Sequence, residues 1–230
     1  MILVIVFKLY HRLTSGALTL PNPEDCANRI KHAEFGSHNY FFSWEYDLTK
    51  DLKVDWLTGR NICRRHCMDL VSIETRNENE FIKRRMIEVK ENVMTALDNP
   101  SLSQGALRYI WTSGRKCNFA GCEREDLQPV IVNGWFWSGS GVRLGSAQGR
   151  VTGAWSPTGG ADLPQPDNRE FRVEGQHDEA CLAVLNNFYA DGVVWHDIAC
   201  YHEKYFVCED SDDLLEFARQ SSPPVLANRI

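Results

Sequence analysis

Gln165-Pro166-Asp167-Asn168, Glu179-Ala180-Cys181 and Trp195-His196-Asp197-Ile198-Ala199-Cys200 set three carboxylates and the Gln165 amide around a cysteine pair. Asp167, Glu179 and Asp197 supply the acids. Carboxylate and amide oxygens are the donors a hard ion such as Ca²⁺ prefers, and a proline between two of them stiffens the turn that aims them. Without a metal, three acids in one loop region repel one another. That repulsion requires an ion, a protonated His196, or the cations Arg169 and Arg172.

The rest of the chain bounds what surrounds this cluster. With 230 residues, 43% of them hydrophobic, and 7 tryptophans, it builds one good-sized core and reads as a single domain with short appendages. A net charge of -6 argues against nucleic acid, whose phosphates reward a basic stripe. No apolar run reaches the roughly 18 residues of a membrane-spanning helix. The 8 cysteines, with no CxxC pair, suit an oxidising compartment and disulfides rather than a zinc ribbon. The segment 1–25 reads as an atypical or truncated signal segment, because its apolar stretch is short and lacks a preceding basic run. Residues 26–39 then form an N-terminal extension, 40–210 the domain and 211–230 a flexible tail.

Along the domain, residues 40–46 are aromatic-rich and extended. Trp56, Gly59, Ile62, Cys63 and Cys67 recur at helical spacing, which predicts a first helix carrying both cysteines. Thr75-Arg76-Asn77-Glu78 is a capping box, followed by Ile82, Met86, Val89 and Val93 on one face of a second helix. Residues 92–107 look like a loop insertion. Strand-like pieces follow at 108–112, 130–137, 181–185, 193–195 and 205–208. The glycine-rich stretch 138–179 has no sustained period, and it holds Gln165, Asp167 and Glu179; long loops inside compact domains are often functional.

Taken in order, these motifs resemble the C-type lectin-like domain family, in particular its secreted arthropod members. Trp56 to Cys63 is similar to that family's first helix, Tyr109-Ile110-Trp111-Thr112-Ser113-Gly114 to its buried central strand, and Gly134-Trp135-Phe136-Trp137-Ser138-Gly139 to the tryptophan-rich segment after it. Gln165-Pro166-Asp167 is similar to the galactose-type signature, and Trp195-His196-Asp197 with Cys200 and Cys208 closes the pattern. The resemblance implies an α+β fold with two small antiparallel sheets, two helices and a long ligand-binding loop region. It also implies that Cys63 pairs with Cys208 and Cys181 with Cys200. Cys26, Cys67, Cys117 and Cys122 then allow three pairings, of which Cys117 with Cys122 and Cys26 with Cys67 is preferred.

What the resemblance implies for function is a secreted, extracellular lectin that binds galactose-type glycans or glycoproteins through a loop Ca²⁺. Gln165, Asp167, Glu179 and Asp197 would hold the metal, and Gln165, Asp167, Glu179, His196 and Asp197 the sugar. The Gln/Asp order matters because an amide donates and accepts, whereas a carboxylate only accepts. Pro166 is expected in the cis form. Position 196 is His where the family's binders carry Asn, and imidazole nitrogen is a poorer partner for Ca²⁺ than an amide oxygen. The residue after the tripeptide that would stack on the sugar is also displaced, leaving Arg169 or Phe171 for that role. The alternative reading is a domain that binds a protein ligand without calcium. A minority reading builds a zinc site from His177, His196, Asp167 and Glu179. The pairs His196-Asp197 and His177-Asp178-Glu179 do not make an enzyme, since adjacent strand residues face opposite sides.

Overall fold

The computed structural model describes residues 17–88, 109–147 and 154–230. The chain is α+β. Helix α1 (Pro23–Ala27) is followed by strands β1 (Ala33–Phe35) and β2 (His38–Phe42), helix α2 (Trp56–Arg65), β3 (Met68–Leu70) and α3 (Arg76–Ile87). Strand β4 (Tyr109–Lys116), the short helix α4 (Val130–Asn133) and β5 (Trp135–Trp137) come next. After the long loop with α5 (Arg169–Glu174) come β6 (Cys181–Asn186), β7 (Val193–Ile198), β8 (Tyr205–Asp210), α6 (Asp212–Gln220) and α7 (Pro224–Ala227). The predicted insertion at 92–107 lies outside the described residues. No helix among the described residues is long and apolar enough to cross a membrane.

The two antiparallel groups join into one path of order β1-β2-β8-β4-β6-β7, with β3 on β8 and β5 on β4. The link is a short parallel pairing, Ile110 with Tyr205 and Trp111 with Phe206. Buried side chains fill both sides. Trp135, Trp137 and Trp195 pack with Tyr40, Phe42 and Ile82 in one cluster, while Trp111, Trp56 and Phe206 pack around the Cys63–Cys208 bond in another. The Trp137 and Trp195 rings meet edge to face at 5.3 Å, the arrangement that ring quadrupoles favour. Trp155 extends this array from a half-buried position, with its ring 5.9 Å from that of Trp195.

Helix α2 opens on Asp55, whose Oδ1 accepts from the Thr58 N–H at 2.8 Å. It stops at Arg65, earlier than its cysteine spacing predicts. Cys67 adopts φ 59, outside helical geometry, and bonds to Cys26 instead. In α3, Thr75 Oγ1 accepts from Glu78 N–H at 3.1 Å, but the returning Glu78 carboxylate takes the N–H of Glu74 at 2.9 Å rather than that of Thr75. Residues 130–137 were predicted as strand throughout. Instead, Val130–Asn133 forms a helical turn after the cis Gln128–Pro129 bond, and only Trp135–Trp137 pairs with β4.

The described parts of both terminal segments are folded. The segment 211–230, predicted as a flexible tail, is helical: Leu214, Leu215 and Ala218 bury one face of α6 against the Cys26–Cys67 bond. Asp212 and Asp213 in its first turn suit the positive end of the helix dipole. Residues 17–25, inside the predicted signal segment, dock on α2. Thr19 N–H donates to Asn61 Oδ1 at 2.8 Å, and Asn22 N–H to the Arg65 carbonyl at 2.9 Å. Residues 1–16 lie outside the described residues. The remaining disulfides are Cys117–Cys122 and Cys181–Cys200.

Candidate functional site

Cys181–Cys200 fastens the start of β6 to the end of β7, and Asp197 sits on β7 paired in register with Leu182. Its carboxylate, 1% exposed, gathers the loop: Oδ1 accepts the Asp167 N–H at 3.0 Å and Oδ2 the Asn168 N–H at 2.7 Å. Asn168 holds the left-handed conformation with φ 50, which Asn tolerates better than most residues. Its side chain accepts the Glu179 N–H at 2.8 Å and donates to Asp178 Oδ1 at 3.0 Å. Asp178 is in turn paired with Lys116 Nζ at 2.6 Å. One asparagine thereby ties the Gln165–Pro166 cis turn to β6 while Asp197 ties it to β7.

This clamp brings Asp167, Glu179 and Asp197 together, each offering a ligand atom within 4.8 Å of the others. Two ionised carboxylates at that spacing repel by about 3 kcal/mol at an effective dielectric of about 20. Burial, reinforced by the Asp197, Glu170 and Asp167 charges, pushes the Glu179 carboxyl up to about 8. Burial likewise pushes Asp197 up to about 7, even though its two N–H partners pull the other way. Asp167 Oδ2 and Glu179 Oε2 are buried with no hydrogen-bond partner. Hard oxygen donors, mutual repulsion and two orphaned lone-pair sites are together a donor set that fits Ca²⁺.

Gln165, 7% exposed, lines the same cleft. Its side chain lies over Gly159, where φ is +58 and any Cβ would collide with the Gln165 amide. Gly159→Ala is therefore expected to displace that amide and weaken cation binding roughly tenfold, as disturbed supporting residues do at metal sites; a Ca²⁺ titration checks this. An unaltered midpoint would show that Gln165 is not a ligand.

His196 also lines the cleft, but its Nε2 is 2.9 Å from Asp191 Oδ2, which accepts from Ser156 Oγ at 2.5 Å as well. Burial lowers the imidazole pKa, so among the counter-charges the sequence offers, His196 is not the one in place. That role falls to Arg172, with Nη2 3.7 Å from Asp167 Oδ2. The order Ser156–Asp191–His196 places the acid in the middle, so the imidazole does not meet the hydroxyl and the trio lacks the order of a nucleophilic triad. Among the described residues no histidine joins the carboxylate cluster, so His177 and His196 do not form the zinc site weighed above; the His177 ring packs against Tyr201 instead.

The chain is similar to C-type lectin domains of known structure. The mouse scavenger receptor C-type lectin carbohydrate-recognition domain is 20% identical, covering 78% of this chain and 94% of that one, with a TM-score of 0.45. The C-type lectin domain of murine dendritic cell inhibitory receptor 2, solved with an N-glycan, is 18% identical over 78% and 95%, with a TM-score of 0.46. SPL-1 in complex with GlcNAc is 19% identical over 78% and 91%, with a TM-score of 0.45. No family model and no curated relative matches the sequence.

The aromatic wall differs from expectation. Phe171, nominated for stacking, is 49% exposed and lies outside the cleft, whereas Phe188 and Tyr189 line it from the β6–β7 connection. The Tyr189 ring stands 5.5 Å from that of His196. Sequence reasoning quoted Asn168 without giving it a role and passed over Asp191, Ser156, Tyr189 and Lys204, which long-range folding places here. A usable signal existed for Tyr189 alone: an aromatic pair in a turn next to the Trp195-His196-Asp197 strand.

Proposed function

We propose that this chain is a secreted C-type lectin-like domain that binds galactose-type glycans in a Ca²⁺-dependent manner. Supporting the reading is the buried cluster of Asp167, Glu179 and Asp197, with its two carboxylate oxygens left without hydrogen bonds. Gln165, Asp167, Glu179 and Asp197 would hold the ion, and a bound Ca²⁺ would accept vicinal sugar hydroxyl oxygens into its shell. The chain's own part is orientation. The Gln165 amide donates and accepts, the Asp167 carboxylate accepts only, and their order sets which hydroxyl must donate. His196 shapes the wall through its bond to Asp191 rather than serving as a ligand through Nε2.

Four disulfides suit an extracellular setting, and no group in the cleft has the geometry of a nucleophile with its base, so the reading is a binding module and not an enzyme. One observation favours the second reading, a protein ligand bound without calcium: both Asp197 oxygens already accept backbone N–H groups. A glycan array with and without chelator separates the two. Binding to terminal galactose or N-acetylgalactosamine that chelator abolishes is the expected result. Chelator-insensitive attachment to a protein, with no glycan signal, would overturn it.

A further inference from the structure

The cleft does not end at the carboxylate cluster. It continues, with a volume of about 470 Å³, along the face of β6 and β7 that carries Leu185, His196 and Ile198, and its far end is closed by Tyr109 and Lys204. Lys204 is 8% exposed. Its Nζ lies 4.9 Å from the ring centroid of Tyr109 and 5.0 Å from that of Trp111, and it makes no hydrogen bond or ion pair with the described residues. Backbone bonds to Val54 in both directions, at 2.9 and 3.0 Å, anchor the residue's main chain beneath the cleft. The ring faces favour the positive charge but leave three N–H donors without acceptors. Burial accordingly drags the ammonium down to about 8.

Nearby acids do not fill the role. Glu170, whose charge reaches Lys204, gives its oxygens to Tyr201 Oη at 3.0 Å and to His202 Nε2 at 2.6 Å. Glu174 and Glu203 are exposed at the rim, where water and salt screen them. Between the two ends runs a wall of rings: Tyr189 beside His196, Phe188 against Tyr189 at 4.8 Å, and Tyr109 against Phe188 at 6.3 Å. Sugar C–H faces lie well on such a surface.

We propose that Lys204 forms a second subsite that takes an anionic oxygen group, a carboxylate or a sulfate ester, on a saccharide unit next to the cation-bound one. This rests on the glycan reading above and narrows its ligand class to acidic oligosaccharides. An anion seated on Lys204 would meet an ammonium that is largely shielded from water and has no acceptor among the described residues, the circumstance in which charge-assisted hydrogen bonds are strong.

The test is calorimetric titration, in Ca²⁺, of three oligosaccharides sharing a terminal galactose: one neutral, one carrying a uronate and one a sulfate on the adjoining unit. The wild type is expected to prefer one or both charged forms roughly tenfold or more. Lys204→Met keeps an unbranched apolar stem over the rings, and it should bring the charged forms down to the affinity of the neutral one; Lys204→Arg should retain the preference. Uronate and sulfate arms identify the source of the anion. Chelator-sensitive binding of all three sugars without a preference sinks the subsite and leaves the lectin reading standing. Failure of every sugar sinks both. Charged-form binding that survives chelator but is lost in Lys204→Met supports the subsite and removes the cation.

Discussion

Asp197→Ala is expected to abolish Ca²⁺ binding and, separately, to destabilise the metal-free fold by about 2–4 kcal/mol. The second effect follows from what the carboxylate does before any ion arrives. Two backbone N–H groups, those of Asp167 and Asn168, find their acceptors in Asp197 at 3.0 and 2.7 Å, and the side chain is buried. Alanine leaves both donors without a partner, each costing about 1–3 kcal/mol. Part of that loss is offset, because the Asp197 charge is the largest charge repelling Glu179 and its removal relaxes the cluster. Asp197→Asn should be milder, since the amide oxygen still accepts one N–H while its NH₂ faces the other. Urea unfolding in chelator should rank wild type above Asn above Ala. Added Ca²⁺ should raise the wild-type midpoint by mass action and move neither variant. Fluorescence of Trp195, two residues from the ligand, gives the titration. Wild-type stability in Asp197→Ala would show that the loop is not hung on this carboxylate.

Reading the sequence reached this site because its oxygen donors sit in short motifs with chemistry of their own. Gln165, Asp167, Glu179 and Asp197 are recognisable as oxygen donors wherever the chain puts them, and the structure places all four in one cleft. The helices at Trp56–Arg65 and Arg76–Ile87 were legible for a similar, local reason: period and cap lie within a dozen residues. What was not legible depends on distant partners. Lys204 looks like an ordinary surface lysine until β8 pairs beside β4 and lays it over Tyr109 and Trp111. Asp191 becomes the partner of His196 only once the β6–β7 connection folds back. Cys67 sits at helical spacing from Cys63, yet its bond to Cys26 takes it out of the helix. The helix at Asp212–Gln220 is a different case. Leu214, Leu215 and Ala218 do carry a helical period, but acidic neighbours and a terminal position made it read as a tail, and only the Cys26–Cys67 surface shows what that face covers.

A second large effect is expected far from the cleft: Glu78→Gln should leave stability near pH 4 almost unchanged and raise it by about 3 kcal/mol near pH 8. Glu78 is 6% exposed, with Oε1 accepting from Tyr40 Oη at 2.7 Å and Oε2 from the Glu74 N–H at 2.9 Å. Tyr40 Oη also lies 3.2 Å from Glu209 Oε1, which takes His38 Nδ1 at 2.6 Å, while Glu209 Oε2 accepts the Ser72 N–H at 2.9 Å. Asp210 and Asp212 add further negative charge around His38. Burial first, then the Glu209 charge, pushes the Glu78 carboxyl from 4.5 up to about 7. A carboxyl raised on folding binds its proton more tightly in the native state. Its contribution is therefore full below pH 4.5 and is lost as pH rises through 7. The bond to Glu209 raises His38 from 6.5 to about 9, so its contribution is present below 6.5 and fades as pH rises through 9; because His38 is partly exposed, that share is screened and smaller. Both groups slope the same way, and metal-free stability should decline from pH 5 to 9. Glutamine mimics the protonated acid: its NH₂ can donate to Tyr40 Oη while Tyr40 donates to Glu209, and its carbonyl keeps the Glu74 N–H. The variant should thus lose only the Glu78 share of the decline between pH 4.5 and 7 and keep the shares of Glu179 and Asp197, whose carboxyls are also raised on folding, and of His38. Chelator must be present throughout, so that no cation replaces the protons between Glu78 and Glu209. Parallel pH profiles for wild type and Glu78→Gln would mean that Glu78 is ionised in the native state near neutrality and that its burial is compensated by charge rather than by a proton.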